Sequence, residues 1–357
     1  MKFLFLNSST TWGGTEKWAC LAANALSDRH DVWFGFAADA VGDSLRVSKQ
    51  RMVFQSRFDL RTVRQIVRLV REHHIDVLIP TKQTEYFLAG AAAKLCGAAN
   101  ILRLGIVRDL RNAIHNNVIY NKLADGIIVN AGEIKEVLLR SRYMQSKRIR
   151  VIYNGLDTDR LNEVLGSTRR VAKPFPFTIA TMGRLTSVKR VDVLLKAFAR
   201  FLRESGAKDA GLQVIGEGPE LDSLQRLAGT LCIADKVIFT GFLPNPYPCL
   251  IGSDIFVLSS RNEGISNAML EAMYLGSAVV ATSAGGVTGI FGDGEAAVII
   301  DVDDRVTLAE RLVLLYENAD LRERIALSGR AKVAEQFSLD RMCEQIVSFS
   351  DEVLRRK

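Results

Sequence analysis

The sequence predicts an α/β protein made of two doubly wound parallel sheets, and three observations carry that expectation. Short apolar runs rich in β-branched residues alternate with longer segments of helical spacing from one end of the chain to the other. The alternation is interrupted once, over residues 162 to 176, where the chain turns polar and basic and ends in two prolines, and it then restarts. Finally, 357 residues with 48% hydrophobic content exceed what a single core usually holds. Strands separated by helical segments imply parallel sheets covered by helices on both faces.

Taken in order, the strand candidates of the first half are residues 2 to 7, 31 to 37, 52 to 55, 77 to 81, 101 to 107, 126 to 130 and 149 to 154. Helical stretches separate most of them, for example LRTVRQIVRLVREHH over 60 to 74. After the interruption, strands are expected at 177 to 183, 212 to 218, 237 to 242, 255 to 260, 278 to 282 and 297 to 301. The tail SLDRMCEQIVSFSDEVLRRK reads as a closing helix with Ser338 at its N-cap. The expected domains are therefore 1–165, 166–337 and a terminal helix over 338–357.

Composition narrows the function. No apolar run approaches the roughly 20 residues that span a bilayer, and MKFLFLNSS turns polar after six residues, so neither a membrane span nor a signal peptide is expected. Cys20, Cys96, Cys232, Cys249 and Cys343 stand singly, without a CxxC pair, which fits reduced thiols in a cytoplasmic protein. A net charge of +7 favours anionic partners such as nucleotides, phosphates or an acidic membrane surface.

Ligands of doubly wound sheets bind beyond the carboxyl ends of the strands, so the residues just after each strand are the candidates for chemistry. After the first strand comes SSTTWGGTEKW, where Gly13 and Gly14 precede a helix. They form either a tight turn or an approach for backbone amides to an anion. In GRLTSVKR, Arg184 and Lys189 follow Gly183 at a strand end. Two such cations suit a diphosphate, the arginine through its fork and the lysine as a point charge, although a solvated loop would look similar. In RNEGISNAMLEAM, Gly264, Ile265, Ser266 and Asn267 would form the entry of a helix whose amides and dipole attract phosphate. Glu271 lies four residues beyond Asn267, about 6 Å deeper at roughly 1.5 Å per residue. That is the reach from a nucleotide's phosphates to its ribose. Glu263, on the loop before the helix, would face what is attached beyond the phosphates. Taken alone, the two glutamates read equally as a capping pair on a solvated face.

These segments together resemble the retaining glycosyltransferases of the GT-B fold, in particular family 4. The resemblance covers nearly the whole chain and is strongest over residues 177 to 301. It rests on the order and spacing of GRLTSVKR, VIGEGPE, VIFTGFL, EGISNAMLE with its two glutamates seven residues apart, and AMYLGSAVVATSAGG. It implies two Rossmann-like domains facing across a cleft, with a terminal crossover helix packed back on the first. It implies a diphosphate held by Arg184 and Lys189, a ribose held by Glu271 and a donor sugar contacted by Glu263. Gly183, Gly216, Gly264, Ile265, Ser266 and Asn267 would complete the donor site, the segment Gly241, Phe242, Leu243 would lie near the base, and Gly13 and Gly14 match a loop that faces the donor. The activity implied is transfer of a sugar, with retention, from a nucleotide-diphosphate sugar to a glycan or lipid-linked acceptor, in polysaccharide or lipopolysaccharide synthesis.

One departure is plain. Many members carry a histidine after a late strand of the first domain, where this chain reads RLGIVRDLRNAIHNN, with Arg108 and Asp109 after the strand and His115 farther on. Arg103, Arg108 and Arg111 thereby become candidate cations for the donor or an anionic acceptor, against the alternative of ordinary ion pairs with Asp109 or Asp125. DTD at 157 to 159 and DVDD at 301 to 304 fall where the family has connecting loops, and no histidine cluster has metal spacing, so neither metal nor other cofactor is expected. Arg61, Arg64, Arg68 and Arg71 line one side of a helix opposite Leu60, Val63, Val67 and Val70. Such a helix either docks on anionic lipid or simply covers a sheet, so a peripheral membrane position enters as an expectation. No nucleic-acid-binding module is present. A nucleotide-sugar epimerase and a catalytically silent nucleotide-sugar-binding relative are the alternatives.

Overall fold

The structure, a computed structural model, describes residues 1–106, 114–167 and 173–357. The chain divides into two units. Unit 1 comprises Met1–Gly155 and Leu339–Lys357, and unit 2 comprises Leu156–Ser338.

Among the described residues, unit 1 is built on seven parallel strands, β1 (Lys2–Asn7), β2 (Asp31–Phe36), β3 (Ser48–Arg51), β4 (Val77–Pro80), β5 (Ala99–Leu104), β6 (Gly126–Val129) and β7 (Ile149–Val151), in the order β3-β2-β1-β4-β5-β6-β7. Pleating divides β1 between two cores, as side chains alternate across a sheet. Phe3 and Phe5 pack with Trp18, Ala22 and Phe34, while Leu4 and Leu6 pack on the opposite face with Ile66, Val70, Leu78 and Leu88. The terminal helix Leu339–Arg356 belongs to the first of these cores through Met342, Ile346, Phe349 and Val353. Gly126 makes room for it, since a Cβ there would lie 3.0 Å from both Phe349 and Val353.

Among the described residues, unit 2 has six parallel strands, β8 (Phe177–Met182), β9 (Ala210–Ile215), β10 (Val237–Gly241), β11 (Ile255–Leu258), β12 (Ala278–Thr282) and β13 (Val298–Ile300), ordered β10-β9-β8-β11-β12-β13. The helix Val191–Ser205 covers one face through Leu194, Leu195, Phe198 and Phe201, in contact with Ile179, Leu212 and Val257. Among the described residues, no helix is long and apolar enough to cross a membrane.

Three expectations are corrected. The strand expected at 52 to 55 lies instead at Ser48–Arg51, paired with β2 from Trp33↔Ser48 to Phe36↔Arg51, and Met52 contributes its buried side chain to the core from beyond the strand. The boundary expected at 165/166 lies at 155/156, because the supposed linker begins inside the helix Thr158–Ser167 and that helix packs within unit 2. Its Leu161 is buried, Arg160 stacks on Tyr247, and Asn162 accepts a 3.0 Å hydrogen bond from the Tyr274 hydroxyl. On the helix Leu60–His73, Val63 and Val70 are buried and all four arginines are exposed, but Leu60 is itself exposed rather than turned to the core.

Candidate functional site

In unit 2 the strand order reverses between β8 and β11, and the crevice beyond the carboxyl ends of those two strands is where an open α/β sheet binds ligands. The residues that line it come from three loops. The first leaves β8 through Gly183 and closes in the short 3-10 turn Ser187–Lys189. The second leaves β11 and enters the helix Asn267–Tyr274. The third follows β12.

Hydrogen bonds to backbone carbonyls stitch the first two loops together. Arg261 donates its amide to the Val188 carbonyl at 2.8 Å, and the Ser259 hydroxyl donates to the Lys189 carbonyl at 2.9 Å. That stitching brings Lys189 and Glu263, 74 residues apart in sequence, into an ion pair. The Ser260 hydroxyl also donates toward the same Glu263 oxygen, at 3.4 Å, and the Thr282 hydroxyl fixes the Ser260 carbonyl at 2.6 Å. The third loop closes on this turn at Gly285, whose φ of +72° and lack of a side chain are both required. A Cβ at that position would lie 2.3 Å from the Glu263 carbonyl oxygen.

The remaining expected residues of unit 2 divide by exposure. Arg184 stands exposed one residue past Gly183. Gly264, Ile265 and Ser266 are buried, and Ser266 occupies the N-cap of Asn267–Tyr274 without its side chain capping the helix. The positive end of that helix therefore meets the crevice without a capping hydroxyl. Glu271, one turn in from Asn267, is only 2% exposed. Gly216 and Gly241 are joined by a 2.9 Å hydrogen bond from the Gly216 amide, and a Cβ on Gly216 would strike the Gly183 carbonyl at 2.1 Å. These three glycines let the ends of β8, β9 and β10 close on one another. Phe242 follows with 53% of its surface exposed, and Leu243 is half-buried.

In unit 1 the strand order reverses between β1 and β4, and there the charges are enclosed. Asn7, Glu16, Thr81, Glu85 and Arg103 are all buried. The Glu85 carboxylate accepts hydrogen bonds from the amides of Ser8, of Thr81 at 2.8 Å and of Lys82 at 3.0 Å. Burial nonetheless pushes its pKa up to about 7. Glu16 pairs with the Lys82 ammonium at 2.7 Å, and Asn7 donates to the Thr81 hydroxyl at 2.9 Å. Gly13 is extended, at the N-cap of Gly14–Leu26, and a Cβ there would lie 3.1 Å from the Glu16 carboxylate, whereas Gly14 faces open space. Sequence reasoning missed Glu16, Lys82 and Glu85. The signal for Glu85 was an acidic residue in the first turn of a helix just after a strand, where its carboxylate can accept from the Lys82 amide.

Arg103 is enclosed within unit 1. It is 3% exposed, its guanidinium lies 4.6 Å over the Trp18 ring, and it donates to Asn154 at 3.2 Å. Burial lowers its pKa to about 10. Arg108, Asp109 and Arg111 lie outside the described residues.

The two acidic runs have local structural roles. Asp157 accepts from the Arg160 amide, and Asp304 caps the helix Arg305–Glu317 through the amides of Val306 and Thr307. Among the described residues, no group of three or more His, Cys, Asp or Glu side chains is placed to hold a metal ion.

Comparison with known proteins finds two family models, one on each side of the 155/156 boundary for most of their span. The description "Glycosyltransferase Family 4" matches residues 12–160, and "Glycosyl transferases group 1" matches residues 169–332. The lipopolysaccharide core biosynthesis glycosyltransferase LpsE of Rhizobium meliloti is 26% identical over 332 residues, covering 91% of this chain and 92% of that protein. The N-acetyl-alpha-D-glucosaminyl L-malate synthase of Bacillus anthracis is 31% identical over 168 residues, but the match spans 47% of this chain and only 43% of that protein's length. Among solved structures, Anabaena Alr3699/HepE in complex with UDP superposes with a TM-score of 0.82 at 20% identity, covering 99% of this chain and all of that one.

Proposed function

We propose, for a chain that belongs to the family 4 glycosyltransferases of GT-B fold, transfer of a sugar with retention from a nucleotide-diphosphate donor to a glycan or lipid-linked acceptor. The observation that carries the reading is the Lys189–Glu263 pair at the β8/β11 switch point, beside an uncapped helix end and above the buried Glu271. The relative LpsE, named for lipopolysaccharide core synthesis, and the UDP-bound Anabaena structure support a nucleotide-sugar donor and a glycan acceptor. Both matching family models are of glycosyltransferases, which does not favour an epimerase.

In this reading, Lys189 and Arg184 neutralise the diphosphate, together with the amides at the start of Asn267–Tyr274. Glu271 accepts hydrogen bonds from the ribose hydroxyls, and exposed Phe242 offers a face on which the base can stack. Glu263 orients the donor sugar, and its pairing with Lys189 fixes the ammonium before the donor arrives. The bond from the anomeric carbon to the phosphate oxygen breaks on the face where the acceptor oxygen bonds, and the acceptor's proton passes to the departing phosphate. Stabilising charge on that phosphate and positioning the acceptor are then the protein's main tasks.

The test is a thermal-shift screen against UDP, GDP, ADP, CMP and dTDP sugars, repeated on Lys189→Ala and Glu271→Ala. A ligand at 100 times its Kd adds about 2.7 kcal/mol to the folded state. Selective stabilisation lost in both variants supports the site, and a response unchanged in both overturns it.

A peripheral membrane position has one specific support. Val53, Phe58 and Leu60 are each about two-thirds exposed, beside the exposed Arg57, Arg61, Arg64, Arg68 and Arg71. Apolar groups flanked by cations suit an anionic bilayer surface. Co-sedimentation with phosphatidylglycerol vesicles but not with phosphatidylcholine vesicles is expected, and Phe58→Ser with Leu60→Ser should abolish it. Equal recovery with both lipids would reject the docking.

A further inference from the structure

Four non-glycine residues among those described have a left-handed backbone: His74, Arg190, Cys232 and Asp303. Two of them meet. Arg190, at φ +52°, sits between the 3-10 turn Ser187–Lys189 and the helix Val191–Ser205, and its Nε lies 3.2 Å from the carboxylate of Asp303, which has φ +66°. Glycine would hold either backbone without penalty. Aspartate pays a modest cost there, and arginine a larger one.

The side chains show what those costs hold in place. Asp303 accepts through its other oxygen from Arg261, at 3.0 Å from Nε and 2.5 Å from Nη2. Arg190 also grips Asp192, at 3.0 and 3.3 Å, and Asp192 takes Lys196 at 3.3 Å. Arg190 directly follows Lys189, and Arg261 stands two residues before Glu263. One carboxylate, reaching in from the loop after β13, therefore grips both loops that present the Lys189–Glu263 pair. With Asp303 about one-third exposed and Arg261 more than half exposed, such pairs add little to global stability, so holding position is the role that fits the geometry.

We propose that Asp303 and Arg190 are positioning residues, an ionic clamp between two left-handed residues that sets the separation of Lys189 and Glu263. The consequence for ligand affinity rests on the donor-site reading above, whereas the clamp itself does not.

Asp303→Asn is the sharpest probe, because asparagine tolerates the left-handed backbone and removes only the charge. Arg190→Gly is the second, because it relieves the backbone while deleting the guanidinium. Hydrogen–deuterium exchange of the unliganded protein is expected to rise about tenfold in both segments 184–190 and 259–266 in each variant, with exchange in unit 1 unchanged. Calorimetric titration with UDP is expected to give about tenfold weaker binding in each variant. Tm should stay near wild type in Asp303→Asn and equal or exceed it in Arg190→Gly. Unchanged exchange in both segments overturns the clamp, whatever UDP does. Raised exchange in a protein whose wild type binds none of UDP, GDP, ADP, CMP and dTDP upholds the clamp and overturns the donor reading instead. If Arg190→Gly raises Tm and keeps both exchange and UDP affinity at wild-type values, the left-handed arginine has no positioning role.

Discussion

At the carboxyl end of the unit 1 sheet, Glu16, Lys82, Glu85 and Arg103 spend their charges on one another, on backbone amides and on Trp18 and Asn154. At the equivalent end of unit 2, Lys189 is only partly covered by Glu263, Arg184 is exposed, and the helix end above Glu271 lacks a side-chain cap. Both sheets are parallel and both reverse at a central pair of strands, so the shared topology does not account for the contrast. It lies in how far the loops after the strands enclose their charged groups: unit 1 buries Glu16, Glu85 and Arg103, whereas unit 2 leaves Arg184 exposed and the paired Lys189 and Glu263 part-exposed.

The largest effect should come from removing a cation that unit 2 leaves available. Lys189→Ala is expected to lower kcat/KM by roughly 100- to 1,000-fold, about 2.7–4 kcal/mol of transition-state stabilisation, with little change in Tm. Steady-state kinetics with the donor found in the thermal screen measures it, and a loss under fivefold would erase the contrast between the units.

The next effect tests the enclosed site through pH. Because folding raises the Glu85 pKa from 4.5 to about 7, its contribution is fully present below the unfolded value and is lost as pH rises through about 7. At 1.36 kcal/mol per pH unit, up to ~3 kcal/mol should disappear across that window. Glu85→Gln lacks this titration, so denaturant unfolding of the variant should gain on wild type between pH 4.5 and 8. Parallel profiles would mean that Glu85 stays ionised throughout.

The smallest is Glu271→Gln, which keeps the shape of the side chain and removes its charge. Weakening a charged hydrogen bond to ribose should cost about tenfold in donor affinity, near 1.5 kcal/mol, while the affinity for inorganic pyrophosphate stays unchanged. Equal losses for both ligands would place Glu271 in support of the helix rather than at the ribose.

Much of this was legible because it is local. The strands of both sheets alternate or run apolar, and Gly264 to Glu271 read as a turn and helix entry within a few residues. Ser48–Arg51 was missed because an edge strand written SKQR carries no apolar signal, while its neighbour Met52 does. Thr158–Ser167 was missed because only Leu161 on it is buried, so its sequence reads like a linker. The Glu85 network and the Arg190–Asp303 clamp were invisible for another reason. They join residues some 75 to 115 positions apart, and the clamp depends on backbone dihedrals that arginine and aspartate do not announce.

The chain leaves unit 1 and re-enters it at two adjoining points. Leu156 is bridged to Ser338 and donates its amide to the Phe337 carbonyl at 2.7 Å, while Gly155 donates to the Met342 sulfur at 3.1 Å. During synthesis this sets an order of completion. Unit 2 is continuous and can close its core as soon as its last helix is made. Unit 1, although begun first, keeps Phe3, Ile128 and Ile152 short of their partners until Ile346, Phe349 and Val353 emerge. The unit begun first is thus completed after the other, and its core stays open in the meantime.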